Sequence, residues 1–285
     1  MHHGTLMTRR AWGGLTLGRL WRSGRLERWH GLLLGVVTLL GVLMARWPDP
    51  FWRMTLFLLD GIGVTVGVTL ISFALILVVG LLGGLGRVAR APWLRTLTAL
   101  YVDIVRGIPL LVQLLFLYYA FPQLLHQAGA ALSLRFPGWG LAQALATLQF
   151  SPFWAAVLGL TFCYGAYMTE IFRAGIEAIP RGQLEAALAL GMSRPQAMRV
   201  IILPQAVRVA LPAIGNDFVA LLKDSSLVSV VAVADLTRRG REYISAAFIP
   251  VEGWTLVALL YLLLTLLVAR LVSGMERRFQ VLERS

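Results

Sequence analysis

The sequence predicts an all-α polytopic membrane protein, and three observations carry that prediction. Of 285 residues, 58% are hydrophobic and only 14% are charged, with a mean hydropathy of +0.74. A water-soluble domain of this length needs far more surface charge. Long stretches also hold no charge at all: 61–86, 107–134 and 136–169. About 20 apolar residues in a helix cross the hydrocarbon core of a bilayer. Finally, the short alternating segments of a membrane β-barrel are absent, and only helices and closed barrels satisfy the backbone in lipid.

The net charge of +12 does not point to nucleic acid. The arginines flank the apolar runs instead of forming one stripe interleaved with aromatic residues, so the bilayer is the expected partner. Cys163 is the only cysteine, which excludes an intrachain disulfide and a thiolate cluster. His2, His3, His30 and His126 lack metal-ligand spacing. No metal site, cofactor or catalytic residue is expected.

The elements follow in order. Residues 1–30 hold six arginines and one acid, Glu27, and read as a basic cytoplasmic segment. Residues 31–46 read as a short transmembrane helix with Trp29 and Trp47 at the interfaces. Its basic lead is too long for a signal peptide, and "ARWPDP" is a poor cleavage site. Further spans are expected at 61–86, 98–121, 152–174, 205–233 and 253–274. The loops 87–97 and 175–204 and the tail 276–285 then share a side with the N-terminus. All are basic, as cytoplasmic segments should be, so both termini are expected inside. One segment resists: Arg238, Arg239 and Arg241 fall on the outer side. The 122–151 loop exceeds a minimal connection, and its "AQALATLQF" reads as a short helix at the outer surface.

The segment 180–204 interrupts this pattern. Pro180 should end the third long span. Leu184, Leu188 and Gly191 then share a helical face, with Glu185 beside it. Gly191 fits a helix C-cap, where left-handed torsions favour glycine. Ser193 to Gln196 has capping-box form, and Pro195 suits a first turn. A second helix should begin there, present Met198, Ile201 and Ile202, and be disrupted at Pro204. Such a hairpin suits insertion into a groove on another protein, although an ordinary amphipathic connector would share its pattern.

Here a family resemblance enters. Glu185-Ala186-Ala187, three residues, Gly191, nine residues and then Ile201-x-Leu203-Pro204 resemble the EAA loop of importer-type ABC-transporter permeases. The stretches "YVDIVRGIPLLVQLLFLYYAFP", "AYMTEIFRAGIEAIPRGQLEAA" and "NDFVALLKDSSLVSVVAVADL" resemble the polar amino acid permease subfamily, over most of 60–275. The resemblance implies a five-helix permease core with helix 31–46 and the 122–151 loop as additions. It implies a homo- or heterodimer with a second permease, a cytoplasmic ABC ATPase dimer and an extracytoplasmic amino-acid-binding protein. The coupling residues it implies are Glu185, Ala186, Ala187, Gly191, Ser193, Met198, Ile201 and Pro204.

Ionisable residues within spans are the candidates for a substrate path, because charge in a bilayer is expensive. Glu170 and Arg173, and likewise Asp103 and Arg106, are spaced to pair on one helical face. Those pairs fit a structural lock as well as a transport role. Asp217, Lys223 and Asp224 follow Pro212 and Gly215, as in a broken span whose freed backbone faces a cavity. Lys223 is the only lysine in the chain. Thr65, Thr69 and Gln113 complete the candidates. Gly63/Gly67 and Gly80/Gly84 have the spacing of close helix packing.

The leading expectation is a permease subunit of an ATP-driven importer of polar amino acids. No phosphate-binding G-x-x-x-x-G-K-[ST] loop occurs, so a partner must bind and hydrolyse ATP. A permease for another small polar solute, or a passive channel or scaffold, are the alternatives. An intramembrane enzyme lacks the residues it would need.

Overall fold

A computed structural model describes residues 17–149 and 151–281. The first part of the basic N-terminal segment and the end of the tail lie outside the described residues. Everything regular within them is helix, as the sequence predicts. Among the described residues, five helices are long and apolar enough to cross a membrane, and a sharply bent pair would make a sixth span if it crosses as one unit.

Helix α1 (Leu17–Arg46) carries the apolar run after Trp29. Helix α2 (Pro48–Arg87) is 40 residues long, with non-helical torsions at Asp49, and from Pro50 it adds about three turns before the expected span. Helix α7 (Pro152–Glu177) runs beside it at the centre of the bundle. Gly80 and Gly84 make that approach possible. A Cβ on Gly80 would lie 2.2 Å from Met168 Cγ, and one on Gly84 would lie 2.6 Å from Phe172 Cβ. Gly63 and Gly67 make no such approach within the chain, since a Cβ on either would have no neighbour within 4 Å outside its own helix. The core sits between α2, α7 and α10 (Leu203–Asp224), where Val68, Ile76, Leu160, Met168 and Leu221 are buried. A second apolar cluster joins α1 and α2 to α11 (Leu236–Ala247) and α12 (Pro250–Val281).

The span expected at 98–121 is not straight. Helix α3 (Pro92–Gly107) meets the helix beginning at Leu110 at 104°. Pro109 supplies no N–H, and residues before proline avoid helical torsions, so Ile108 is extended (φ −109°, ψ 132°) and the helix restarts. The second limb runs as α4 (Leu110–Leu115), a π-helical turn and α5 (Phe121–Arg135). Helix α6 (Gly140–Thr147) then folds back on α5, which gives the short helix expected within 122–151.

Two of the three outlying arginines of 236–247 find local partners. Asp235 is fully buried, caps α11 through the backbone N–H groups of Thr237 and Arg238, and accepts from the Tyr261 hydroxyl at 3.1 Å. Burial pushes its carboxyl above the usual range, against these hydrogen bonds. Arg238 and Arg239 each reach Glu242 at 3.0 Å, and Arg239 also pairs with Asp60 on α2. Arg238 and Arg239 are therefore held by acids of α11 and α2, while Arg241 is exposed.

Candidate functional site

Two features stand out at the end of the bundle where α7 stops. The first is the hairpin of α8 (Arg181–Ala189) and α9 (Arg194–Ala197). Helix α7 ends at Glu177, and Pro180 caps the start of α8. The turn between the arms is closed by two backbone bonds, Gly191 N–H to Leu188 O at 3.0 Å and Met192 N–H to Ala187 O at 3.1 Å. That pair of bonds defines a Schellman C-cap, and it requires Gly191 at φ +83°. Ser193 and Gln196 form the capping box in full. Gln205 donates to Gln183 at 2.6 Å and so ties the start of α10 to α8.

The hairpin is seated on the bundle by an apolar cluster. Ile176, Ile179, Ile202 and Ala206 are buried, with Leu184, Met198 and Ile201 against them. Met198, Ile201 and Ile202 thus pack inward and do not form the presented face. The open face instead holds Glu185, Ala186, Gly191, Ser193 and Pro204, with Leu190 84% and Val200 63% exposed. Ala187 is buried. Leu190 and Val200 escaped sequence analysis because an exposed apolar residue has no periodicity of its own.

Pro204 does not break the second arm. Residues Met198–Ile202 form a π-helical turn, closed by Leu203 N–H on Met198 O, and α10 continues directly from it. The wider turn absorbs the residue whose ring would clash in an α-helix. Helix α10 also passes through Pro212 without interruption, so the break expected at Pro212 and Gly215 lies further on. It falls at Ser225–Val231, which is 3₁₀-helical.

The second feature is a cavity of about 470 Å³ between α3, α7 and α10. Arg106, Tyr167, Glu170, Arg173 and Asp217 supply its polar lining. Glu170 is held between two cations: Arg87 at 3.1 Å from α2, and Arg173 at 2.7 Å. Arg173 also pairs with Glu177. The expected Glu170–Arg173 pair therefore forms, as part of a lock between α2 and α7. The expected Asp103–Arg106 pair does not; Arg106 lies 5.1 Å over the Tyr167 ring. Asp217 Oδ2 is buried with no hydrogen-bond partner, and Arg106 lies within its electrostatic reach.

Of the other candidates for the path, none lines this cavity. Thr65 donates to Gly61 O and accepts from Leu236 N–H, and Thr69 donates to Thr65 O; both are buried. Gln113 donates to Val105 O at 2.7 Å and Ile108 O at 2.8 Å, holding the α3–α4 elbow. Asp224 accepts from the Tyr164 hydroxyl at 2.7 Å, and Lys223 is exposed. Tyr167 is the residue that sequence analysis missed, and Arg106 was read only as the partner of Asp103. The arginine was visible, but its assignment to Asp103 concealed its place. A cavity that offers a partnerless carboxylate and a guanidinium can hold a small zwitterion, one charge on each.

Comparison with known proteins agrees with this geometry. Residues 76–281 match the family of binding-protein-dependent transport system inner membrane components. The glutamine transport system permease protein of Escherichia coli (strain K12) is 36% identical over 232 residues, 81% of this chain and 96% of that protein. The arginine transport system permease protein of Bacillus subtilis (strain 168) is 31% identical over 224 residues, 79% of this chain and 93% of that protein. Among solved structures, an amino acid ABC transporter crystallised with histidines shares 33% identity at a TM-score of 0.66, covering 79% of this chain and 95% of that one. The methionine ABC transporter, in inward-facing conformations, has the same fold at 21% identity and a TM-score of 0.62, covering 80% and 98%. With a family match over most of its length and relatives above 30% identity along nearly their whole chains, the chain belongs to the family of binding-protein-dependent transport system inner membrane components.

Proposed function

We propose that the chain is the transmembrane permease subunit of an ATP-binding-cassette importer for polar amino acids. The carrying observation is the α8–α9 hairpin, capped at its turn, seated on the bundle, and left with Leu190 and Val200 uncovered. An apolar tip of this kind fits a groove in a separate ATPase, which binds and hydrolyses the ATP. Glu185 and Arg199 at its edges would fix register through charge. The relatives' names supply the substrate class, since they transport glutamine and arginine. The cavity chemistry agrees: Asp217 receives the ammonium and Arg106 the carboxylate of an amino acid.

The working assembly then holds an ABC ATPase dimer, a second permease as homo- or heterodimer, and an extracytoplasmic amino-acid-binding protein. It resides in the plasma (inner) membrane with both termini and the α8–α9 hairpin cytoplasmic. The test is ATP hydrolysis in proteoliposomes by the chain co-assembled with its ATPase, with binding protein and an amino acid panel. Stimulation by one class of amino acid is the expected result. Assembly with a rate indifferent to every amino acid would overturn the substrate assignment. Failure to assemble would overturn the coupling role.

A further inference from the structure

Between residues 107 and 169 the only formal charge is Arg135. Helices α5 and α6 stand in the middle of that stretch and form a second hairpin, at the opposite end of α7 from α8–α9. Its packing is chiefly internal, with the π-helical turn before α5 as its other main neighbour. Gly129 lets the arms touch: a Cβ there would lie 2.3 Å from Ala146 N. His126 closes the base against Leu148 O. The outer faces stay bare, with Leu134 86%, Trp139 45% and Leu141 54% exposed. Arg135 is exposed at the tip, beside a Phe136–Trp139 edge-to-face pair at 6.0 Å. Water is a poor solvent for this surface, and among the described residues no other element covers it.

We propose that the α5–α6 hairpin lies in the boundary between lipid headgroups and acyl chains. Leu134, Trp139 and Leu141 enter the acyl region, and Arg135 meets headgroup phosphates. Three observations favour lipid over a protein partner. The hairpin is continuous with a candidate span at both feet, since α5 prolongs the limb that starts at Leu110 and α7 begins at Pro152. Its tip combines aromatic rings with arginine, the composition of interfacial belts. It carries no acid, so its one cation complements anionic headgroups, whereas a polar protein surface would find few partners on it. The inference depends on the membrane-spanning fold and is independent of the transported solute.

The test uses Leu134→Cys and Leu141→Cys in the assembled transporter, labelled with an environment-sensitive fluorophore and reconstituted in vesicles containing anionic phospholipid. The parent chain supplies the labelling blank, since Cys163 is buried. The expected result is blue-shifted emission, quenched more strongly by a nitroxide near the headgroup end of the acyl chain than by one near its terminus. Adding the substrate-binding protein should leave the signal unchanged. Quenching by aqueous iodide without lipid quenching would overturn the proposal. So would protection that appears only with the binding protein, which would make the hairpin a protein dock. Adding Arg135→Glu should reduce the lipid quenching, and an unchanged signal would overturn the headgroup contact.

Discussion

The two helical hairpins at the ends of α7 have the same topology and opposite chemistry. The α8–α9 hairpin has a capped turn, charged residues and an apolar seat formed by Ile176, Ile179 and Ile202. The α5–α6 hairpin has a single arginine, an internal Gly129 contact and little grip on the rest of the bundle. An element that transmits force must be rigid within itself and fixed to what it moves. An element that rests in a fluid interface needs only the first. The seat, more than the hairpin, distinguishes them.

The largest effect is expected from removing the seat. A Cβ on Gly175 would lie 2.8 Å from Ala206 O, at the contact between the end of α7 and the start of α10. Gly175→Leu should abolish monodisperse protein in detergent, because a side chain cannot displace backbone; a normal elution profile would show the seat to be dispensable. Next comes the turn. Gly191→Val places a β-branched residue at φ +83°, costing about 2 kcal/mol or more, so the protein should insert while copurification of the ATPase is lost. Retained copurification would detach the hairpin from coupling.

Asp217→Asn tests the cavity and not the seat. Uptake should fall about tenfold or more, as expected for losing one charged contact worth about 1.5–3 kcal/mol, while the ATPase remains bound. Gly129→Leu should open the other hairpin, where the added Cβ meets Ala146 N. Proteolysis between 121 and 149 should rise, and coupled ATP hydrolysis should change less than about twofold, as for surface changes remote from function. The smallest effect belongs to Glu242. Hydrogen bonds from Arg238 and Arg239 hold its carboxyl below the ordinary value, so its contribution is present at neutral pH and lost as pH falls below the usual glutamate range. The group is largely exposed, so Glu242→Gln should cost below about 1 kcal/mol in thermal unfolding at neutral pH.

Much of this architecture was legible because bilayer solvation leaves long uncharged runs, and because caps have local signatures. Gly191 and the Ser193–Gln196 box needed no tertiary information. The misses share another cause. Pro109 and Pro204 have the same local chemistry, yet one ends a helix in a 104° elbow and the other is absorbed by a π-turn. Packing of the flanking segments decides between them, and no local rule contains it. Thr65 and Thr69 resembled cavity residues, but threonine in a helix can satisfy itself on the carbonyl four residues back, and both do. Arg106 had Asp103 at pairing distance along the helix and turned to Tyr167 on α7 instead.

The π-turn at Met198–Ile202 has one more consequence. Because α10 grows directly out of the second arm of the hairpin, the two form one continuous helical rod from Arg194 past Asp217. From Pro204 to that carboxylate is thirteen residues, roughly 20 Å of helix. In the proposed importer, a push on the hairpin is carried along this rod toward Asp217, with Pro212 as the one proline in the interior of α10.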